Sequence, residues 1–247
     1  MIRLIVLIAA LATSGMARAD CTPQEGQLRT TRTLLVNTIG GSEIGSLQYS
    51  QSLDLNDKEI VFSFDDGPHP ENTPQILDIL DSHCVKATFF LVGLYVERHP
   101  ELVREIVRRG HNIANHTYSH PLLHRRSLAS GLREIERGQA AIDAALVETD
   151  FTSQPFFRLP GLNDTTGLKA ELARRNIAVM SCDFGSDDWR RISSDEVYRR
   201  SLRNIEARGS GMIIMHDTQS RTVAALPRLL DTLQERGYNA VHIQGVN

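Results

Sequence analysis

Short apolar runs alternate with amphipathic segments from Ile60 to Ile243, and this alternation restricts the fold more than any other feature of the sequence. Most of the apolar runs are near-continuous, which is typical of strands that are buried on both faces. The segments between them carry helix signals, as where Pro100 opens one predicted helix and Gly110 ends it. Strands that alternate with helices in this way form βα units and a mostly parallel sheet.

The alternation predicts a single α/β domain. The predicted strands are Ile60–Phe64, Ala87–Val92, Asn112–Ala114, Phe156–Leu159, Ala178–Cys182, Met212–Met215 and Ala240–Ile243. The predicted helices are Thr73–Ser82 with Thr73 as its N-cap, Pro100–Arg109, Leu128–Leu146, Thr166–Arg175, Ser194–Arg208 and Thr222–Arg236. We expect a distorted (β/α) barrel of about seven mostly parallel strands, and a doubly wound open sheet is the alternative.

The first 57 residues do not share this alternation. Residues 1–19 are predicted to be a secretory signal peptide, because a basic residue and a short apolar run precede an A-x-A cleavage site at residues 17–19. The apolar run is shorter than the roughly 20 residues that span a bilayer. Residues 20–57 are predicted to form an N-terminal arm and residues 58–247 the barrel domain. We therefore expect an exported protein, periplasmic or secreted, without a stable membrane anchor.

The composition is ordinary for a globular protein, with 41% hydrophobic residues and a net charge of −3. This charge balance gives no indication of a nucleic-acid partner, and no polybasic tract indicates a membrane surface. Export implies an oxidising compartment, but the chain has only three cysteines, Cys21, Cys84 and Cys182. An odd number leaves at least one cysteine unpaired within the chain. The sequence leaves the pairing and the oligomeric state open.

Chemically active side chains lie at or just after the ends of five of the predicted strands. The carboxyl ends of parallel strands meet at one edge of the sheet or barrel, where ligands bind, so we expect these side chains to lie together. In chain order they are Asp65 and Asp66, His116 and His120, Arg158, Asp188 and Trp189, and His216.

This set of side chains is typical of a metal-assisted hydrolase. His116 and His120 are four residues apart, so one helical turn would place both rings on one face. Two imidazoles and a carboxylate form a three-ligand set for Zn²⁺ or a similar ion, with a further position for water. Arg158 could keep a site carboxylate ionised, Trp189 could form an apolar pocket wall, and His216 is a candidate general acid.

The order of the motifs S-F-D-D-G-P, H-T-Y-S-H, F-R-L-P-G, D-D-W and I-I-M-H-D resembles that of the polysaccharide deacetylase family, carbohydrate esterase family four. This family includes nodulation chitooligosaccharide deacetylases and peptidoglycan N-acetylglucosamine deacetylases. The resemblance extends from about Glu59 to Ile243. It implies a distorted (β/α) barrel, an acetylated carbohydrate substrate and one divalent metal ion, usually zinc, with cobalt, nickel and manganese as alternatives.

The resemblance also implies a role for each motif residue. The implied catalytic residues are a base, a general acid, an arginine that orients the base and a carboxylate that tunes the acid: Asp65, His216, Arg158 and Asp188. The implied metal ligands are Asp66, His116 and His120. The implied substrate-binding residues are Trp189, Ile214, Pro160, Gly161 and Leu162.

Two positions depart from the family pattern. Ser63 stands where threonine is usual, and Gly161 and Leu162 stand where the family has an aromatic residue followed by glycine. The leading hypothesis is a secreted, metal-dependent enzyme that removes N-acetyl groups from oligosaccharides or polysaccharides containing N-acetylglucosamine. An O-acetyl esterase or a non-sugar amide hydrolase would use the same site, and a non-catalytic carbohydrate-binding barrel is the third hypothesis.

Overall fold

The computed structural model describes residues 28–247, and a parallel sheet of ten strands forms its centre. The strands are β1 Thr30–Asn37, β2 Glu43–Ile44, β3 Glu59–Asp65, β4 Thr88–Leu91, β5 Asn112–Asn115, β6 Phe156–Phe157, β7 Ala178–Met180, β8 Phe184–Gly185, β9 Gly211–His216 and β10 Asn239–Val246. The helices are α1 Asn72–Ser82, α2 Gly93–Arg98, α3 Pro100–Arg108, α4 Leu128–Leu146, α5 Thr166–Arg174, α6 Ser194–Arg208 and α7 Ser220–Glu235. Two 3₁₀ turns cover Leu123–Arg125 and Pro160–Leu162. The predicted signal peptide and Cys21 lie outside the described residues.

The sheet curves into a distorted (β/α) barrel. The strand order is β1-β10-β3-β4-β5-β6-β7-β2, and β9 pairs with β3 and β8. Every strand pairing among the described residues is parallel. β1 and β2 lie at opposite ends of this order, yet only residues 38–42 separate them in the chain. This short connection brings the two ends of the sheet together.

Alternate residues of the strands pack either in the barrel interior or against the surrounding helices, as the period of two in a strand requires. Val61 and Phe90 belong to a cluster whose buried members all lie on strands and fill the barrel interior. Their neighbours Phe62 and Phe89 belong to a larger cluster that includes residues of the surrounding helices. An interior core and an outer core are the arrangement of a (β/α) barrel, and β3 is accordingly buried along its whole length.

The ends of several helices follow from local side-chain caps. Ser127, Thr165 and Ser193 precede α4, α5 and α6, and each side chain accepts a hydrogen bond from a backbone N–H of the first turn. The predicted N-cap role of Thr73 is wrong, because α1 begins at Asn72 after Glu71. The Thr73 hydroxyl instead donates to the carboxylate of Asp217, which directly follows β9.

Residues 28–57 contribute directly to the sheet. β1 pairs with β10, while β2 pairs with β7. Cys84 is disulfide-bonded, whereas Cys182 is free and buried. None of the helices in residues 28–247 combines the length and the apolar character that crossing a membrane requires.

Candidate active site

The predicted site residues meet at the carboxyl edge of the barrel. Asp65 ends β3 and lies in register with His216, which ends β9. Around them is a cavity of about 600 Å³ that is open to solvent. Its lining includes nine of the predicted residues: Asp65, Asp66, His116, His120, Gly161, Leu162, Trp189, Ile214 and His216. Arg158 and Asp188 are fully buried behind this lining, and Pro160 is buried without lining the cavity.

A buried arginine fixes the orientation of Asp65. The Arg158 side chain has no solvent exposure, and its Nη1 donates to Asp65 Oδ1 at 2.6 Å. The same nitrogen donates to Ser63 Oγ at 2.9 Å, while Nε and Nη2 donate to the carbonyl oxygens of Met180 and Ser181. Because every nitrogen of the guanidinium has a partner, neither the arginine nor the carboxylate it binds can reorient without losing hydrogen bonds.

Asp66, His116 and His120 form a cluster suited to a metal ion. One ligand atom from each lies within 4.8 Å of the other two. Asp66 Oδ1 is 3.4 Å from His116 Nε2 and 3.1 Å from His120 Nε2. That oxygen is buried and has no hydrogen-bond partner among the described residues. Burial opposes the charge of Asp66, but the nearby histidines His116, His216 and His120 lower the pKa of its carboxyl.

A second contact sets the histidine tautomer. His116 Nδ1 lies 2.7 Å from the Arg158 carbonyl oxygen, which can only accept a hydrogen bond. The proton is therefore assigned to Nδ1, and the lone pair of Nε2 faces Asp66. One carboxylate oxygen and two imidazole nitrogens are a common donor set for Zn²⁺ and related divalent ions. The residues present thus fit the metal that the sequence resemblance implies.

The expectation that a helical turn aligns the two histidines is wrong. Residues 116–120 form a loop in which Thr117 has a φ of 72° and His120 a φ of 56°. The ring centroids are nevertheless 4.9 Å apart. Side chains hold the loop: Asn115 Oδ1 accepts from Thr117 N, and Thr117 Oγ1 accepts from His120 N. Left-handed backbone conformations replace the helix in bringing the rings together.

The Asp188 carboxylate positions and charges His216. His216 Nδ1 donates to Asp188 Oδ1 at 2.7 Å, and the His216 backbone N–H donates to Oδ2 at 2.7 Å. Thr222 Oγ1 donates to the same Oδ2. Burial disfavours the imidazolium, but the hydrogen bond and the charge of Asp188 raise the pKa of His216 to about 9. At neutral pH His216 is therefore a protonated acid that lines the cavity.

The Gly161–Leu162 departure has a steric explanation. Gly161 has a φ of 66°, and a Cβ there would lie 2.9 Å from Leu122 Cδ2. An aromatic side chain would therefore need both backbone strain and movement of Leu122. Leu162 lines the cavity together with Leu159 and Ile214, so an aliphatic wall takes the place of the aromatic one.

Three side chains that support the site, and one that lines it, received no role from the sequence. Ser63 binds Arg158, and Thr222 binds Asp188. Asp217 is fully buried, and Gly67 lies so close that a Cβ there would be 2.1 Å from Asp217 Oδ2. The I-I-M-H-D motif already contained Asp217, whereas nothing in the sequence links Thr222 to Asp188. Leu47 lines the cavity from the segment before β3.

Comparison with known proteins identifies relatives of the chain. The family model described as polysaccharide deacetylase matches residues 52–178. A peptidoglycan-N-acetylglucosamine deacetylase of Bacillus cereus is 32% identical over 194 residues, which cover 76% of this chain and 87% of that protein. A chitooligosaccharide deacetylase of a Bradyrhizobium species is 33% identical over 195 residues, covering 73% and 87%.

A solved structure shares the fold as well. The peptidoglycan deacetylase Bd3279 of Bdellovibrio bacteriovorus superposes with a TM-score of 0.79 at 28% sequence identity. The match covers 90% of this chain and 61% of that protein. The similarity therefore extends over nearly the whole described structure.

Proposed function

The chain belongs to the polysaccharide deacetylase family, and we propose that it is a metal-dependent hydrolase that removes N-acetyl groups from oligosaccharides or polysaccharides containing N-acetylglucosamine. The observation that carries this proposal is a single cavity lined by Asp65, His216 and the Asp66–His116–His120 cluster. A base, an acid and a metal-binding set at one cavity are the groups that metal-assisted amide hydrolysis requires.

The ligand cluster would hold one divalent ion, zinc or, as alternatives, cobalt, nickel or manganese. Its carboxylate oxygen and two imidazole nitrogens support this assignment. When bound, the ion polarises an acetyl carbonyl and lowers the pKa of its water from about 16 towards about 7. The His116 tautomer set by the Arg158 carbonyl keeps Nε2 available as a ligand.

Asp65 is the base in this proposal. Its Oδ1 is bound to Arg158, whereas its Oδ2 lies 3.7 Å from His116 Nε2, on the side of the ligand cluster. That second oxygen accepts the proton of the attacking water. Arg158 does not touch the substrate: it positions Asp65 through the hydrogen bond from Nη1 to Oδ1.

His216 is the proposed acid. Breaking the carbon–nitrogen bond of an acetamide expels an amine, which is a poor leaving group until it is protonated. With Nδ1 held by Asp188, His216 presents its other ring nitrogen as the proton donor. The raised pKa of about 9 keeps that proton in place at neutral pH. The products are acetate and a free amino sugar.

The aliphatic wall and Trp189 suit the methyl side of an acetyl group. Ile214, Leu159 and Leu162 line the cavity beside His216, and Trp189 lines it while remaining 61% exposed. Apolar lining with a few convergent polar groups is typical of small-molecule sites. We assign Trp189, Ile214, Gly161 and Leu162 to substrate binding on this basis. Pro160 acts only through the turn that it begins.

The proposed localisation and domain organisation rest on the sequence. We propose that residues 1–19 direct export and are removed, which would place residues 58–247 as the catalytic domain in the periplasm or outside the cell. Relatives named for peptidoglycan, a polymer outside the cytoplasm, support export. Residues 20–57 precede the catalytic domain, and their described part, from residue 28, completes its sheet.

Acetate release tests the proposed function. Purified residues 20–247 would be loaded with Zn²⁺ and incubated with N-acetylchitooligosaccharides, peptidoglycan or an O-acetylated sugar. We expect release from an N-acetylated substrate that disappears in Asp65→Asn, because an amide cannot accept the proton. Asp78→Asn is the matched control, since this carboxylate is 69% exposed on α1 and does not line the cavity.

Two other outcomes of the acetate-release experiment would overturn the proposal. Release from the O-acetylated sugar alone would replace the proposal with an esterase. No release from any of the three, with one metal ion bound per chain, would overturn carbohydrate deacetylation as the activity.

A further inference from the structure

Leu47 lines the cavity although it belongs to none of the five motifs. It lies in the loop between β2 and β3, before the residues 52–178 that the family model matches. Its side chain is 59% exposed, much like that of Trp189 at 61%. A single exposed leucine is ordinary on a protein surface. Leu47, however, shares one cavity with Leu159, Leu162, Trp189 and Ile214.

A buried carboxylate fixes the loop that carries Leu47. Asp183 Oδ1 accepts hydrogen bonds from Ser46 N at 3.0 Å, from Ser46 Oγ at 2.6 Å and from Ser52 Oγ at 2.6 Å. Its Oδ2 accepts from Met212 N at 2.8 Å, which ties the loop to β9. Burial opposes the charge of Asp183, but these hydrogen bonds lower the pKa of its carboxyl. The loop is thus attached to the barrel on both sides of Leu47.

The loop backbone also lies directly against the chain that leads into β8. Gly45 has a φ of 116°, and a Cβ there would lie 2.6 Å from Cys182 N. Leu47 N donates to Cys182 O at 3.0 Å. β8 ends at Gly185, and the loop after it carries Trp189; both residues line the same cavity. The close packing at Gly45 places Leu47 at the cavity with little freedom to move.

We propose that Leu47 is a specificity-determining residue that packs against the apolar face of a sugar ring next to the ring that is deacetylated. The inference rests on the proposed function, because it assumes a glycan in the cavity. Pyranose rings present C–H groups on their faces, which suit an aliphatic contact. A side chain on a fixed loop loses little conformational entropy when a ligand binds. The enzyme should therefore bind oligomers more tightly than a single sugar.

Intrinsic fluorescence provides a binding assay that does not depend on catalysis. Trp189 is the only tryptophan in the chain and lines the cavity, so its emission reports on ligands there. Dissociation constants for N-acetylglucosamine and N-acetylchitotetraose would be measured in an Asp65→Asn background, which prevents turnover. The variants are Leu47→Ala, Leu47→Met as the volume-conserving replacement, and Leu35→Ala as the matched control. Leu35 is 61% exposed on β1 and does not line the cavity.

We expect Leu47→Ala to raise the dissociation constant of the tetramer by about 5- to 10-fold, since apolar contacts of this size contribute modestly. The value for the monosaccharide should stay within about twofold, because the proposed contact of Leu47 is with the neighbouring ring, which a single sugar lacks. Leu47→Met should bind the tetramer almost as tightly as the parent protein. Leu35→Ala should leave both constants unchanged.

Three results would overturn the assignment. Tetramer binding could be unaffected by Leu47→Ala, the two ligands could be weakened equally, or no ligand could give a saturable change in emission. Acetate release by the protein with Leu47 intact decides the proposed function separately. Failure of the Leu47 assignment and failure of the deacetylase proposal are therefore distinguishable.

Discussion

The cavity has two halves that are built differently. Asp65 and His216 form the acid–base half, and the Asp66–His116–His120 ligand cluster forms the other. Asp65 and His216 are each held by a charged partner with no solvent exposure, Arg158 for the carboxylate and Asp188 for the imidazole. The ligand cluster has no such support at its centre. Asp66 Oδ1 is buried without a hydrogen-bond partner in residues 28–247, and the His120 side chain is 38% exposed.

This difference indicates which interactions the protein makes by itself and which ones a bound metal ion would add. A buried polar atom without a partner is costly, and a bound cation would provide the partner that Asp66 Oδ1 lacks. The acid–base half is complete without a ligand. Changes in that half should therefore affect folding stability and pH dependence, whereas changes in the ligand cluster should affect metal affinity and leave the metal-free fold intact.

Arg158→Met should have the largest effect. It removes a buried cation and leaves Asp65 as an uncompensated buried charge, so the free energy of unfolding should fall by about 3–5 kcal/mol. Chemical denaturation of the metal-free protein measures this loss. Zn²⁺ affinity of the folded variant should change little, because the contact to His116 comes from the Arg158 backbone carbonyl. Unchanged stability would contradict the role of Arg158 as the structural support of the base.

His120→Ala tests the other half. Loss of one ligand should weaken Zn²⁺ binding by at least about 100-fold, more than the loss of an outer partner costs. The free energy of unfolding of the metal-free protein should change by less than about 0.5 kcal/mol, since the ring is partly exposed. Competition with a chromogenic chelator measures the affinity. Wild-type affinity in this variant would show that the ion binds elsewhere.

Asp188→Asn should shift the pH profile. The pKa of His216 is raised from 6.5 to about 9, mainly by Asp188 against the effect of burial. His216 therefore keeps its proton up to about pH 9, and the stability gained from its charge is present below pH 6.5 and lost as the pH rises towards 9. Without the carboxylate, the alkaline limb of kcat should move to lower pH.

Asp188→Asn should also lower kcat, and a second carboxylate variant serves as its control. At neutral pH kcat should fall by roughly 10- to 100-fold, as for a partly deprotonated general acid. Asp195→Asn is the control, because Asp195 is 75% exposed on α6, pairs with Arg228 and does not line the cavity. An alkaline limb that stays in place in Asp188→Asn would exclude His216 as the titrating acid.

Thr222→Val should have the smallest effect. It removes one hydrogen bond to Asp188 while preserving side-chain volume, so the free energy of unfolding should fall by about 1 kcal/mol. The pH profile should shift in the same direction as in Asp188→Asn, but by less. Thermal denaturation and kcat between pH 6.5 and 9 measure both effects. A larger shift than that of Asp188→Asn would contradict the claim that Asp188 is the main group that raises the pKa of His216.

The sequence predicted the frame of the barrel well because its elements have strong local signals. The bounds of Leu128–Leu146 and Ser194–Arg208 agree with the structure at both ends, and each helix has a serine cap before it. β2 and β8 have two residues each, too few to show any periodicity. They become strands only because longer neighbours hold them in register, which is a tertiary effect.

The site residues that follow strand ends were predictable from the sequence. The residues from distant segments that contact them were not. All three proposed ligands lie together as the resemblance implied. The helical spacing of His116 and His120 was misleading because left-handed residues in a loop also bring side chains together. The contacts made by Thr222 and the position of Leu47 depend on residues far away in the chain, so no local pattern reveals them.

The most direct test of this account is a titration of Zn²⁺ into chelator-treated protein, with acetate release from N-acetylchitotetraose followed at each addition. We predict no release from the metal-free protein and a linear rise that ends at one ion per chain. His120→Ala should need a large excess of Zn²⁺ for any release. Full release by wild-type protein before Zn²⁺ is added would contradict the claim that the ligand cluster is completed by an ion.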